Sequence, residues 1–149
     1  MKIDLVVSNK QKYSIPSKSF FENIFNKSSQ ILKIKHEKIE LSLNFVGDKK
    51  IKALNNKYRH KNKVTDVLSF PLGDGTMSKY DIMPLGDIFI CFPFVKKQSK
   101  LENKNLKDEL SRLSVHGLLH LLGYDHEKSK NDADKMFRME SKILASLNK

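Results

Sequence analysis

The segment that most restricts this chain is His116-Gly-Leu-Leu-His120-Leu-Leu-Gly123-Tyr-Asp-His126. Its leucines continue an apolar periodicity that predicts a helix over residues 105–122, and Gly123 can adopt the left-handed conformation that ends a helix. Four positions on a helix amount to about 40° of rotation, so His116 and His120 project from one side, one turn apart. If the chain doubles back through Tyr124 and Asp125, His126 joins them. Two histidines four apart commonly form no more than a polar helix edge. The stop glycine and the third histidine turn that edge into a metal site. Three imidazoles suit zinc, and nickel or copper would also fit. Three protein ligands leave one coordination position open, the arrangement of a catalytic ion, where bound water is acidified toward neutral pH.

Position 117 narrows the chemistry. Helical zinc peptidases carry glutamate directly after the first histidine, where it serves as general base. Here the residue is Gly117, which can abstract nothing, although His116, His120, Gly123 and His126 otherwise follow the extended peptidase spacing. A peptidase is therefore disfavoured, and a hydrolase of another substrate class remains open.

The rest of the chain frames that site. Its 149 residues suffice for one domain, and 39% hydrophobic with 30% charged residues describes a globular composition. No run of about 18 apolar residues predicts a membrane span. The opening Met1-Lys-Ile-Asp-Leu-Val-Val places an acid inside a very short apolar stretch, which reads as an edge of structure and not a signal peptide. The single cysteine, Cys91, excludes an internal disulfide and suits a reducing cytoplasm; its apolar neighbours mark it as a small core residue. The net charge of +11, from 28 Lys and Arg against 17 Asp and Glu, attracts polyanions. The excess is lysine spread along the chain, as in Lys49-Lys50 and Lys96-Lys97, with no arginine-rich arm.

Periodicity supplies the elements. A strand is expected over residues 2–7. After Pro16, Phe20, Phe21, Ile24, Phe25, Ile31 and Leu32 give a helix over 17–34 with a core-facing stripe. Ile39, Leu41, Leu43 and Phe45 alternate with polar residues in a half-buried strand, and Asp48 caps a helix bearing Ile51, Leu54 and Tyr58. A basic loop leads to a strand over 65–71, a flexible loop over 72–84 with Gly73, Gly75 and Pro84, and a buried strand over 85–92. The chain turns helical after Pro93, with helices over 105–122 and 129–147. The order βαβαββαα predicts a single α+β domain, a small mixed sheet packed against helices, with the metal site on a helix and the loop after it, as in zinc metalloproteases.

Three separated blocks carry a resemblance: Leu54-Asn-Asn-Lys-Tyr-Arg59 with Thr65-Asp-Val-Leu-Ser-Phe-Pro71, then Leu85-Gly-Asp-Ile88, then His116 through His126. In these the chain, over roughly residues 40–130, resembles the YbeY family of bacterial endoribonucleases, also described as rRNA maturation factors. The resemblance implies a zinc-dependent, cytoplasmic endoribonuclease acting on single-stranded RNA. Its role would lie in 16S rRNA 3′-end processing and ribosome quality control, with the small ribosomal subunit as partner and neither membrane nor DNA involved. It assigns metal ligation to His116, His120 and His126, and catalysis to Arg59 and His116 in one cleft. A guanidinium suits that role because it grips two phosphate oxygens and offsets charge as a phosphodiester is attacked. From the residue alone, Arg59 reads sooner as a solvated loop cation, and the surrounding block reverses that preference. His60 has no family assignment and reads as an exposed loop residue. Asp66 and Asp87 either orient ligands or take backbone amides at strand ends, and Asp125 either supports His126 or forms the turn. The same basic surface would also serve a metal-stabilised ribosome-binding factor that recruits other nucleases.

Overall fold

A computed structural model describes residues 2–72 and 82–148. Strand β2 (Lys38–Val46) buries Ile39, Leu41, Leu43 and Phe45 on one face and turns Glu40, Ser42 and Asn44 to the other. It is flanked on both sides by parallel strands, β1 (Lys2–Ser8) and β4 (Ile82–Cys91). Strand β3 (Val67–Pro71) joins β4 antiparallel, and the sheet order is β1-β2-β4-β3. Parallel neighbours need crossover connections. Helix α1 (Lys18–Ile31) makes the first, and α2 (Asp48–Arg59) with β3 the second.

Helices α1 and α4 (Leu106–Leu121) cover the apolar face and α5 (Lys130–Leu147) packs on both, closing a core that includes Phe21, Phe25, Leu43, Ile88, Leu110 and Leu118. Helix α2 lies on the opposite side over a smaller cluster of Ile51, Leu68 and Cys91. The chain leaves β4 directly into α3 (Phe92–Leu101), which has Pro93 in its first turn, where its missing N–H costs nothing. Ser17, Asn105 and Ser129 cap α1, α4 and α5 by accepting the backbone N–H three residues on. The α+β architecture is as expected, but α3 is a separate helix, so the order is βαβαββααα. Among the described residues no helix is long and apolar enough to cross a membrane.

Local corrections have local causes. Helix α1 stops at Ile31 and not at residue 34, because the chain turns left-handed at Lys33 (φ 55°) and Ile34 N–H closes onto Ser29 O. Gly47, without a side-chain bond, is the N-cap of α2; Asp48 is its first residue, and its carboxylate accepts the Cys91 thiol at 3.2 Å. Burial pushes that thiol up to about 12, with Asp48 acting in the same direction, consistent with an inert core cysteine. Strand β3 begins at Val67, whose N–H is taken by the Asp66 carboxylate at 2.7 Å. Of the loop expected over 72–84, residues 73–81 lie outside the described residues, and 82–84 belong to β4.

The Leu85-Gly86-Asp87 block is a bulge. Glu40 pairs with Pro84 and Leu41 with Gly86, leaving Leu85 as the extra residue. Gly86 has φ 136°, and a Cβ there would stand 2.2 Å from the Phe70 carbonyl oxygen, so only glycine lets β3 approach. Gly86→Ala is expected to cost about 3 kcal/mol of stability, read by urea denaturation. An unchanged midpoint would show that this approach tolerates a side chain.

Candidate active site

Helix α4 is amphipathic in the service of the site. Leu110, Leu113 and Leu118 enter the core, while His116 and His120 stay partly exposed. After Leu122 the chain passes through Gly123 at φ 97°, with Gly123 N–H bonded to His120 O and Tyr124 N–H to Leu119 O, both at 3.0 Å. The left-handed helix end expected from the sequence is therefore present. Asp125 Oδ1 accepts the Glu127 N–H at 2.8 Å, so of its two readings the turn-forming one has a bond behind it.

This turn brings His126 to the other two. Ring centroids are 4.6 Å apart for His116 and His120, 5.4 Å for His116 and His126, and 5.1 Å for His120 and His126. One ligand nitrogen from each lies within 4.8 Å of the others, and the Nε2 atoms of His116 and His120 are 3.1 Å apart. A tetrahedral ion bound to imidazole nitrogens at 2.0–2.1 Å needs those nitrogens about 3.4 Å apart, so the three can hold one ion after small ring rotations. Burial pushes His120 down to about 4, and His116 and His126 act in the same direction, which keeps its nitrogen lone pair available.

Behind His116 stands Glu140 of α5, a buried carboxylate whose Oε1 lies 3.3 Å from His116 Nδ1. That oxygen has no aligned hydrogen-bond donor among the described residues, so the approach is electrostatic in kind. It is the placement of a carboxylate that fixes a ligand histidine's tautomer and turns the far nitrogen outward. Gly117 faces Ile88 of the sheet. A Cβ on it would meet the Ile88 side chain at 2.9–3.1 Å, so the position occupied by a base in peptidases is here pressed against the sheet.

The histidines open into a cleft of about 680 Å³ that is also lined by Arg59 and β3. Arg59 Nη2 lies 3.2 Å from Glu127 Oε1, which ties the end of α2 to the loop carrying His126. Both groups are more than a third exposed, so this pair is weak and readily exchanged. Lys61, Lys63, Lys128 and Arg112 line the same space against Asp66, Asp125 and Glu127. His60 is exposed and ends α2 at φ 57°, outside the lining. Asp87 is also outside it; its carboxylate accepts the Ser42 hydroxyl at 2.5 Å across the sheet.

Two site residues were not read from the sequence. Arg112, held by Glu109 through Nε at 3.3 Å and Nη2 at 3.1 Å, stands one turn before His116, the spacing that predicted His120. Glu140 had no signal, since its partner lies on another helix.

A family model described as endoribonuclease YbeY matches residues 6–148. The chain belongs to the YbeY family. Membership makes it an endoribonuclease, a hydrolase whose substrate class is RNA. It is 42% identical over 159 aligned residues to endoribonuclease YbeY of Thermodesulfovibrio yellowstonii, covering 99% of each chain. With endoribonuclease YbeY of Persephonella marina it shares 39% over 131 residues, 88% of this chain and 84% of that one. The solution structure of TM1509 from Thermotoga maritima superposes with a TM-score of 0.61 at 28% identity, over 95% of this chain and 86% of that one.

Restoring the peptidase glutamate to this YbeY-family scaffold should fail for steric reasons. Gly117→Glu is expected to lower the melting temperature by several degrees without producing cleavage of casein. A variant as stable as wild type would mean that position 117 is not wedged against Ile88.

Proposed function

We propose that the chain cuts single-stranded RNA internally at this cleft, using one metal ion held by His116, His120 and His126. One observation carries the reading: Arg59 is joined through Glu127 to the loop bearing His126, so the phosphate-gripping cation and the histidine triangle face one space. The donor set, three imidazoles and no thiolate, suits zinc, with nickel or copper compatible. When bound, the ion would supply Lewis-acid polarisation and acidify water.

The remaining work falls to the chain. Glu140 stands 3.3 Å from His116 Nδ1, and a small ring rotation would let that N–H donate to it and present Nε2 to the cleft, which is how His116 contributes to catalysis in this reading. Arg59 exchanges Glu127 for two oxygens of the scissile phosphate, a bidentate geometry that offsets charge as the bond breaks. Arg112 and the lysines of the cleft hold neighbouring phosphates, a contribution that weakens as salt rises. Within the cell we assign this activity to 16S rRNA 3′-end maturation on the small ribosomal subunit in the cytoplasm, as the family resemblance implies.

Three experiments test this reading. Purified His120→Ala should retain well below one ion per chain by elemental analysis, and Glu140→Gln should bind its ion about 10–100-fold more weakly in a chelator competition. Full occupancy in the His120 variant would remove it from the ligand set. Wild-type protein should cleave a single-stranded RNA, with loss of cutting on chelation and a fall of about 100-fold in kcat for Arg59→Ala. Cleavage untouched by both would place the chemistry elsewhere, and ribosome binding without any cutting would favour a recruiting factor.

A further inference from the structure

Next to Arg59, the last turn of α2 carries an aromatic side chain that the site does not use. Tyr58 is 55% exposed, the only tyrosine among the large apolar side chains left open in the described residues. Its ring leans on Phe70 at 5.0 Å and 60°, and Phe70 in turn meets Phe89 edge-on at 5.7 Å and 74°. Phe70 and Phe89 are partly buried, fixed by β3 and β4, so they form a rigid backing for a solvent-facing ring. Lys57 Nζ lies over the Tyr58 ring, 5.2 Å from its centroid, on a flexible side chain that a stacked base would displace. The flanks of Phe70 in β3, Ser69 and Pro71, line the cleft. The three rings thus form the outer shoulder of the wall whose inner side faces the histidines.

A purely structural role explains this poorly. Helix α2 is anchored by Ile51, which is fully buried, and by Leu54. The ring is therefore not needed to hold the helix, and more than half of its surface stays in water beside Lys57 and Arg59. An exposed, rigidly backed ring flanked by cations is the arrangement that single-strand binders present to a nucleobase, the ring stacking on the base and the cations taking its phosphates.

We propose that Tyr58, backed by Phe70 and Phe89, is a base-stacking subsite for the RNA strand whose phosphate is gripped by Arg59. The subsite rests on the endoribonuclease reading for the identity of the strand. It also supplies selectivity: bases in a duplex have their faces covered by neighbours, so only an unpaired nucleotide can lie on Tyr58. Neighbouring helical positions project about 100° apart and Tyr58 stands outside the cleft lining, so the stacked base belongs to a nucleotide further along the strand than the one cut.

The protein has no tryptophan, so Tyr58→Trp introduces a single fluorescent reporter at the subsite. Its emission should be quenched in a saturable way by a short single-stranded oligoadenylate. A base-free oligomer with the same sugar-phosphate backbone should leave it unchanged. In cleavage of a single-stranded RNA, Tyr58→Ala should raise KM about tenfold with kcat within about twofold, and Tyr58→Trp and Tyr58→Phe should restore KM. Rescue by both rings separates stacking from loss of the phenol hydroxyl, and the Trp reporter reads binding in a folded chain even if the alanine variant is unstable. Equal quenching by the base-free oligomer, or an unaltered KM for Tyr58→Ala, would overturn the subsite. Base-dependent quenching in a protein that never cuts RNA would uphold the subsite and overturn the catalytic reading instead.

Discussion

The contact on which the rest depends is the seating of α4 against β4 at Gly117 and Ile88. With no side chain at 117, the helix comes close enough for Ile88 to fill the space a Cβ would take. Leu110, Leu113 and Leu118 are then buried in the common core, each such side chain contributing about 1.5–3 kcal/mol. A helix held that firmly has a fixed rotation about its axis. The rotation that places glycine on the sheet turns His116 and His120 away from it, toward the cleft. The residue that denies the site a peptidase base is also the one that orients the histidines.

Around this rigid element the site is assembled from less tightly held parts. His126 arrives on a turn closed by Asp125, and Arg59 sits at the end of α2, tied to that turn by an exposed ion pair. Asn55 anchors the segment after Arg59 by donating from Nδ2 to Lys63 O at 3.0 Å. The contrast suits a nuclease. In the proposed reaction the histidines on α4 would hold a fixed geometry, whereas a guanidinium that grips phosphate would exchange one anion for another as substrate enters and product leaves. An exposed pair with Glu127 aims Arg59 without trapping it.

The elements were largely legible in the sequence because their signals are local. Alternation in β2, the stripe of α1 and the stop at Gly123 each follow from a few adjacent residues. Most of what went astray depended on longer connections. The bulge at Leu85 follows from the approach of β3 and the role of Asp48 from a thiol on β4, whereas the early end of α1 is a local turn at Lys33. Arg112 carried the helical spacing that would have placed it beside His116, but a lone arginine on a charged helix gives no reason to single it out.

What the sequence by itself determined is the set of groups that helical geometry brings together. Two imidazoles one turn apart, a glycine to end the helix and a third imidazole after the turn converge whatever surrounds them, because the 3.6-residue period and the left-handed stop are properties of the backbone. Only the tertiary structure decided what those groups face. Arg59 shares their cleft, Glu140 stands behind His116, Gly117 meets Ile88 and Tyr58 rests on Phe70 because separate elements pack on one sheet. Packing is settled by shape and buried area over the whole core, and no short stretch of sequence encodes it.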